Sequence, residues 1–120
     1  MQLSDYTDVD WSEAKEEARN EMILAAKRRS VITYGCICKK ITAVNISHID
    51  GRFYKLLCDI SREESEKDRG MLSVVVVAKS DGRPGDGFFD FAATLGYDVS
   101  EKQVFFAKEL NKVYEYWSRN

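Results

Sequence analysis

Met71-Leu72-Ser73-Val74-Val75-Val76-Val77-Ala78-Lys79 is the stretch on which the reading of the fold turns. Apolar residues follow one another here without alternation. A half-buried strand would show period two and an amphipathic helix period 3.6, so the run predicts a strand over 71–79 buried on both faces. It ends in Ser80-Asp-Gly-Arg-Pro-Gly-Asp-Gly87, where three glycines, two aspartates and the only proline predict a turn. A phosphate cradle there would use Arg83 and the backbone N–H groups. The P-loop order is missing, however, and the two aspartates would repel an anion, so a tight turn is the reading.

The flanking sequence reads as helix. Upstream, Ile49, Phe53, Leu56, Leu57 and Ile60 form one stripe, with Asn45 or Ser47 as cap and Arg52 and Lys55 facing outward. Ser61 to Gly70 is highly charged, either a helix tail or a solvated loop. Before that, Val31-Ile32 reads as a short strand and Thr33 as the cap of a brief helix from Tyr34 to Ile41. The first helix begins near Asp10, with Glu13 completing a capping-box-like start, and buries Ala14, Ala18, Met22, Ala25 and Ala26. Acids at its start and Lys27-Arg28-Arg29 at its end suit the helix dipole. Downstream, Phe88, Phe91, Ala92 and Leu95 step along a helix closed by Gly96. A last helix from Ser100 presents Val104, Ala107, Leu110, Val113, Tyr114 and Trp117 to the core.

With 120 residues and no linker, repeat or low-complexity tract, residues 1–120 form one domain able to bury a core. The acidic, polar N-terminus is unlike a secretory signal, and no apolar run approaches the ~20 residues of a membrane span. An odd set of three cysteines, Cys36, Cys38 and Cys58, points to free, buried thiols and a cytoplasmic location. With His48 as the only histidine, no metal site or cofactor is expected.

Enzyme chemistry finds little to work with. His48 alone could serve a nucleophile as base, and Cys58 lies some ten residues along a helix, read as facing the core. Glu63, Glu64, Glu66 and Asp68 sit in a run so charged that solvation is the simpler reading. No acid precedes Ala78-Lys79 as a nuclease strand would require. The expectation is a non-catalytic protein.

Charge is divided unevenly. Between Met22 and Arg62, eight basic residues face only Asp50 and Asp59, a balance of +6 that leaves −8 for the rest of a chain of net charge −2. A local positive field of that kind attracts phosphates. Double-stranded DNA is therefore the expected partner, with Arg52, Lys55, His48 and Tyr54 on a reading helix, Lys39 and Lys40 on phosphates and Arg83 at the turn. The alternative is a protein-interaction or oligomerisation module. Phe105, Phe106, Tyr116 and Trp117 on the last helix exceed what one stripe buries, which would leave apolar surface for a partner or a second copy.

Ile32-Thr33-Tyr34-Gly35 resembles the start of the helix-turn-helix of alkylguanine-transferase-like proteins, where a Thr-Tyr-Gly run caps the helix buttressing the recognition helix. The resemblance spans Val31 to Ile60. The family's reactive Pro-Cys-His-Arg motif is absent, so alkyl transfer is not implied. Arg69 to Val77, Gly82-Arg-Pro-Gly-Asp-Gly-Phe-Phe89 and the tail Tyr114-Glu-Tyr-Trp117 are similar to a family of small uncharacterised bacterial proteins, which implies a bacterial or phage origin. The expected fold is α+β: a mostly helical, winged-helix-like single domain with a short sheet around strand 71–79.

Overall fold

The computed structural model describes residues 6–120; the first five residues of the acidic N-terminal stretch lie outside the described residues. Among the described residues, five α-helices surround a minimal sheet: α1 (Asp8–Lys27), β1 (Ile32–Thr33), α2 (Tyr34–Lys40), α3 (Gly51–Glu66), β2 (Val76–Val77), α4 (Asp86–Thr94) and α5 (Lys102–Arg119). β1 and β2 run parallel, with Ile32 opposite Val76 and Thr33 opposite Val77. The fold is α+β and mostly helical.

The segment 71–77 is the centre of the molecule, and every residue in it is buried. Its conformation is not the expected strand over 71–79. Leu72–Val75 is a 3-10 turn, and only Val76–Val77 is extended. A valine run specifies burial, but a strand also needs a neighbour along its length, and β1 supplies just two residues. Met71, Ser73 and Val74 N–H find acceptors outside the sheet, as burial favours. Met71 N–H donates to the Glu109 carboxylate (2.7 Å), Ser73 N–H to Ser61 Oγ (2.9 Å) and Val74 N–H to the Met71 carbonyl (2.9 Å).

α1 buries Ala14, Ala18, Met22, Ala25 and Ala26, as expected. Small side chains on this face let its backbone approach the 3-10 turn and α3 closely. The cap lies at Thr7 rather than Asp10: Asp10 N–H donates to Thr7 Oγ1 (3.1 Å), and the Asp10 carboxylate accepts from Thr7 N–H (2.9 Å). Asp10 thus closes a capping box from its third position. α3 buries Phe53, Leu56, Leu57 and Ile60 as read, but its cap is Asp50, not Asn45 or Ser47, and Ile49 stands outside the helix in solvent. In α5 the buried residues are Phe105, Glu109 and Val113, whereas Val104 and Ala107 are exposed.

The charged run after Ile60 is not simply solvated. Ser61 and Glu64 are buried, and Glu64, 1% exposed, receives Arg19 from α1 and Arg69 (3.5 Å) from the turn after α3. Arg19 also pairs with Glu63, which Lys15 reaches at 2.7 Å. Arg69 lies over the rings of Tyr116 (5.5 Å) and Trp117 (5.8 Å), binding α5 to the same cluster.

Glu17 braces the connection after α2, accepting Thr42 N–H (3.0 Å), Ala43 N–H (2.8 Å) and the Thr42 hydroxyl. Burial pushes its carboxyl up, but the hydrogen bonds from Thr42 and Ala43 outweigh this and leave it below the usual glutamate value. A folded pKa below the unfolded one gives stability present above the unfolded pKa and lost as pH falls through the folded value. Glu17→Gln should therefore cost roughly 1 kcal/mol at pH 7, reduced by solvent screening, and the gap should narrow as pH falls toward 3. Urea unfolding of both proteins at the two pH values tests this; an equal gap at both would show that the carboxylate charge contributes nothing.

Candidate functional site

Two flanks of α3 carry different surfaces. Arg52 and Lys55 look toward the start of α1, beside Trp11 and Lys15. Arg52 bonds both Asp50 oxygens (3.3 Å each) and lies over the Trp11 ring (5.8 Å), while Lys55 reaches Asp59 (3.5 Å). His48 and Tyr54 line a cavity on the other flank. At 100° per residue, Arg52 and Tyr54 stand about 200° apart around the helix. The single reading face expected from sequence is thus two faces, one of them largely charge-compensated.

Other cations are less encumbered. Lys39 and Lys40 end α2 in solvent, and with Lys27 and Arg28 at the end of α1 they make no ion pair among the described residues. Arg83 lies 3.9 Å from Asp81. In the turn, Gly82, Arg83 and Gly85 N–H donate to the Ala78 carbonyl, Asp81 and Tyr34 Oη respectively. With those donors engaged, the segment is a tight turn, not an anion cradle.

The cavity encloses about 300 Å³. Tyr34 opens α2; Phe53, Tyr54, Leu57 and Cys58 come from α3; Ser73 comes from the 3-10 turn; and Gly85, Gly87, Phe88 and Phe91 come from α4 and its approach. Thr33 caps α2 through Cys36 N–H (3.2 Å), which sets Tyr34 in place, and Tyr34 meets Phe53 edge to face at 6.5 Å. Tyr34 Oη accepts Gly85 N–H (2.8 Å). Burial pushes its phenol up against the lowering effect of Gly85 N–H, so it stays protonated and able to donate into the cavity.

Tyr54 forms part of the mouth. It is 45% exposed, and its hydroxyl donates to the Gly87 carbonyl (3.0 Å). A Cβ on Gly87 would stand 2.6 Å from its Cε1, so glycine is what lets the ring lie against α4. Burial, with the neighbouring Cys58, pushes the Tyr54 phenol up to about 12. Burial also raises the Cys58 thiol, against the lowering effect of the neighbouring Tyr54 hydroxyl. Ser73 Oγ accepts a hydrogen bond from the Ser61 hydroxyl. The walls offer aromatic faces, hydroxyl and thiol groups and the His48 imidazole, and neither Ser73 nor Cys58 carries the features of an activated nucleophile.

Sequence reasoning placed His48 and Tyr54 at a site and missed Tyr34, Ser73, Gly85, Gly87 and Phe88. The available signal was that the Thr-Tyr-Gly run, the valine segment and the Gly-Phe-Phe segment each carried a resemblance, and all three meet at this cavity.

The aromatic surplus of α5 is mostly absorbed internally. Phe105 is buried against Phe88, Phe89 and Tyr97, with ring centroids 5.9, 6.3 and 5.4 Å away. Phe106 is half-buried against the core, and Tyr116 and Trp117 pack edge to face at 4.8 Å beside Arg69. Phe105 is therefore corrected from surface to core. Cys36 is exposed rather than buried, and Cys38 and Cys58 are half-buried. Among the described residues, no group of three or more His, Cys, Asp or Glu could hold a metal, and no helix is long and apolar enough to cross a membrane. Comparison with protein-family models, curated proteins and solved structures gave no match.

Proposed function

We propose that the chain is a non-catalytic module of a bacterial or phage cytoplasm that binds double-stranded DNA on a winged-helix-like plan, holding one unpaired base in the cavity. The observation carrying this reading is the aromatic-walled cavity beside the start of α3. At about 300 Å³ it lies at the lower end of the range for ligand sites, roughly 300–1,000 Å³, which suits a single ring system. Proteins that extrude a base receive it between aromatic and apolar side chains and meet its edge with hydrogen bonds. Tyr34, Phe53 and Phe88 supply such walls, and the protonated Tyr34 phenol supplies a donor.

The order β1, α2, α3, β2 supports the winged-helix-like plan, with two departures. Residues 41–50 make the α2–α3 connection longer than the usual three- or four-residue turn. The parallel β1–β2 pair also leaves the wing's position to the turn at 78–87. Phosphate attraction falls to Lys27, Arg28, Lys39 and Lys40 rather than to α3.

A fluorescent duplex titrated at two salt concentrations tests the reading. Micromolar or tighter binding is expected at low salt, falling steeply as salt rises. Lys39→Glu with Lys40→Glu should weaken it evenly across sequences and lower the log–log salt slope by about 2. A mismatched duplex should bind more tightly, because its base leaves the stack at lower cost. Absence of binding at low salt would sink the proposal.

A further inference from the structure

Ile49 is 84% exposed, the most exposed large hydrophobic residue among those described, and nothing in the fold uses its side chain. It is nevertheless held in place. Its N–H donates to Ser47 Oγ (3.3 Å), and Asp50 N–H donates to the Ser47 carbonyl (3.1 Å). Val44 and Ile46 are buried just before it, and Asp50 caps α3 just after it through Arg52 N–H (2.8 Å). A β-branched side chain on a fixed turn has few rotamers to lose on contact. Its chain neighbour His48 lines the cavity.

From this juxtaposition we infer that Ile49 is a wedge: it enters the base stack beside the extruded nucleotide and fills the gap left when the base occupies the cavity. Apolar wedges of this kind, isoleucine among them, unstack base steps in other DNA-binding proteins. The neighbouring candidates are committed elsewhere, Arg52 to Asp50 and Trp11 and Tyr54 to Gly87. Ile49 acts by positioning the duplex. The inference rests on the DNA-binding reading proposed above.

The test uses the full chain and a duplex carrying a mismatched 2-aminopurine, whose fluorescence rises on unstacking. Anisotropy of an end label reports binding in the same samples. Wild-type protein should bind and brighten the base. Ile49→Ala should melt at the wild-type temperature and keep low-salt affinity within about threefold, yet reduce the brightening by about tenfold, with Ile49→Leu restoring it. Brightening by Ile49→Ala equal to wild type would overturn the wedge and leave the DNA-binding reading intact. Wild-type binding without brightening would overturn both wedge and base cavity, and absence of wild-type binding would overturn the whole reading.

Discussion

Replacing Glu64 by alanine is expected to lower folding stability by roughly 3–5 kcal/mol, the range for a buried charge pair broken from one side. Glu64 is almost wholly enclosed, and its carboxylate joins α1 through Arg19 to the turn after α3 through Arg69. Removing it leaves two guanidinium groups facing the space it occupied. Arg19 retains Glu63 and Glu16, and Arg69 retains its aromatic neighbours, so the lower half of the range is the closer expectation. Glu64→Gln, which keeps shape and one acceptor, should fall between alanine and wild type. Lys15→Ala, which removes only the half-exposed pair with Glu63, should cost about 1 kcal/mol or less. Urea unfolding of the four proteins separates these values. A Glu64→Ala loss no larger than that of Lys15→Ala would show that solvent reaches the cluster.

The second large effect falls on Gly70, where two costs coincide. Its φ of +90° is a conformation L side chains rarely adopt, and a Cβ there would stand 2.9 Å from Val113 Cγ2 and 3.4 Å from the Glu109 carboxylate. Backbone strain of about 1–2 kcal/mol and overpacking of about 1–3 kcal/mol put Gly70→Ala near 2–5 kcal/mol. Gly82 offers the control: its φ is +68°, but nothing lies within 4 Å of a Cβ, so Gly82→Ala should show the backbone part alone. Equal losses in denaturant titration would mean that α5 yields to the methyl group without cost.

Much of this architecture is legible in local sequence. The alanine face of α1, the stripe of α3 and the small helix behind Thr33 follow from spacing and caps, because both act within a few residues. The readings that failed depended on distant partners. Val74 and Val75 announce burial, but their 3-10 turn follows from Ser61 and from a neighbouring strand of two residues. The α5 stripe holds at Val113 and at the half-buried Leu110, Tyr114 and Trp117, but it took in the exposed Val104 and Ala107 and left out Glu109, whose burial only the Met71 N–H explains. The cavity was harder still: its walls come from four separated segments, so no spacing rule joins Tyr34 to Ser73 or Gly87. The Arg52–Asp50 pair, by contrast, is local and could have been read in advance as a partly neutralised cation.

The two-residue parallel sheet bears on the order of assembly. Pairing Thr33 with Val77 closes a chain loop that contains α2 and α3, and two residue pairs offset little of that entropy. The strands can therefore meet only after the helices between them have packed, which makes their junction a late event in folding and an early one in local opening. Tyr34 follows β1 directly and Ser73 lies shortly before β2, so two parts of the cavity lining come together in that same step. A partly folded chain has no receptive cavity, and whatever occupies it selects molecules that have completed folding.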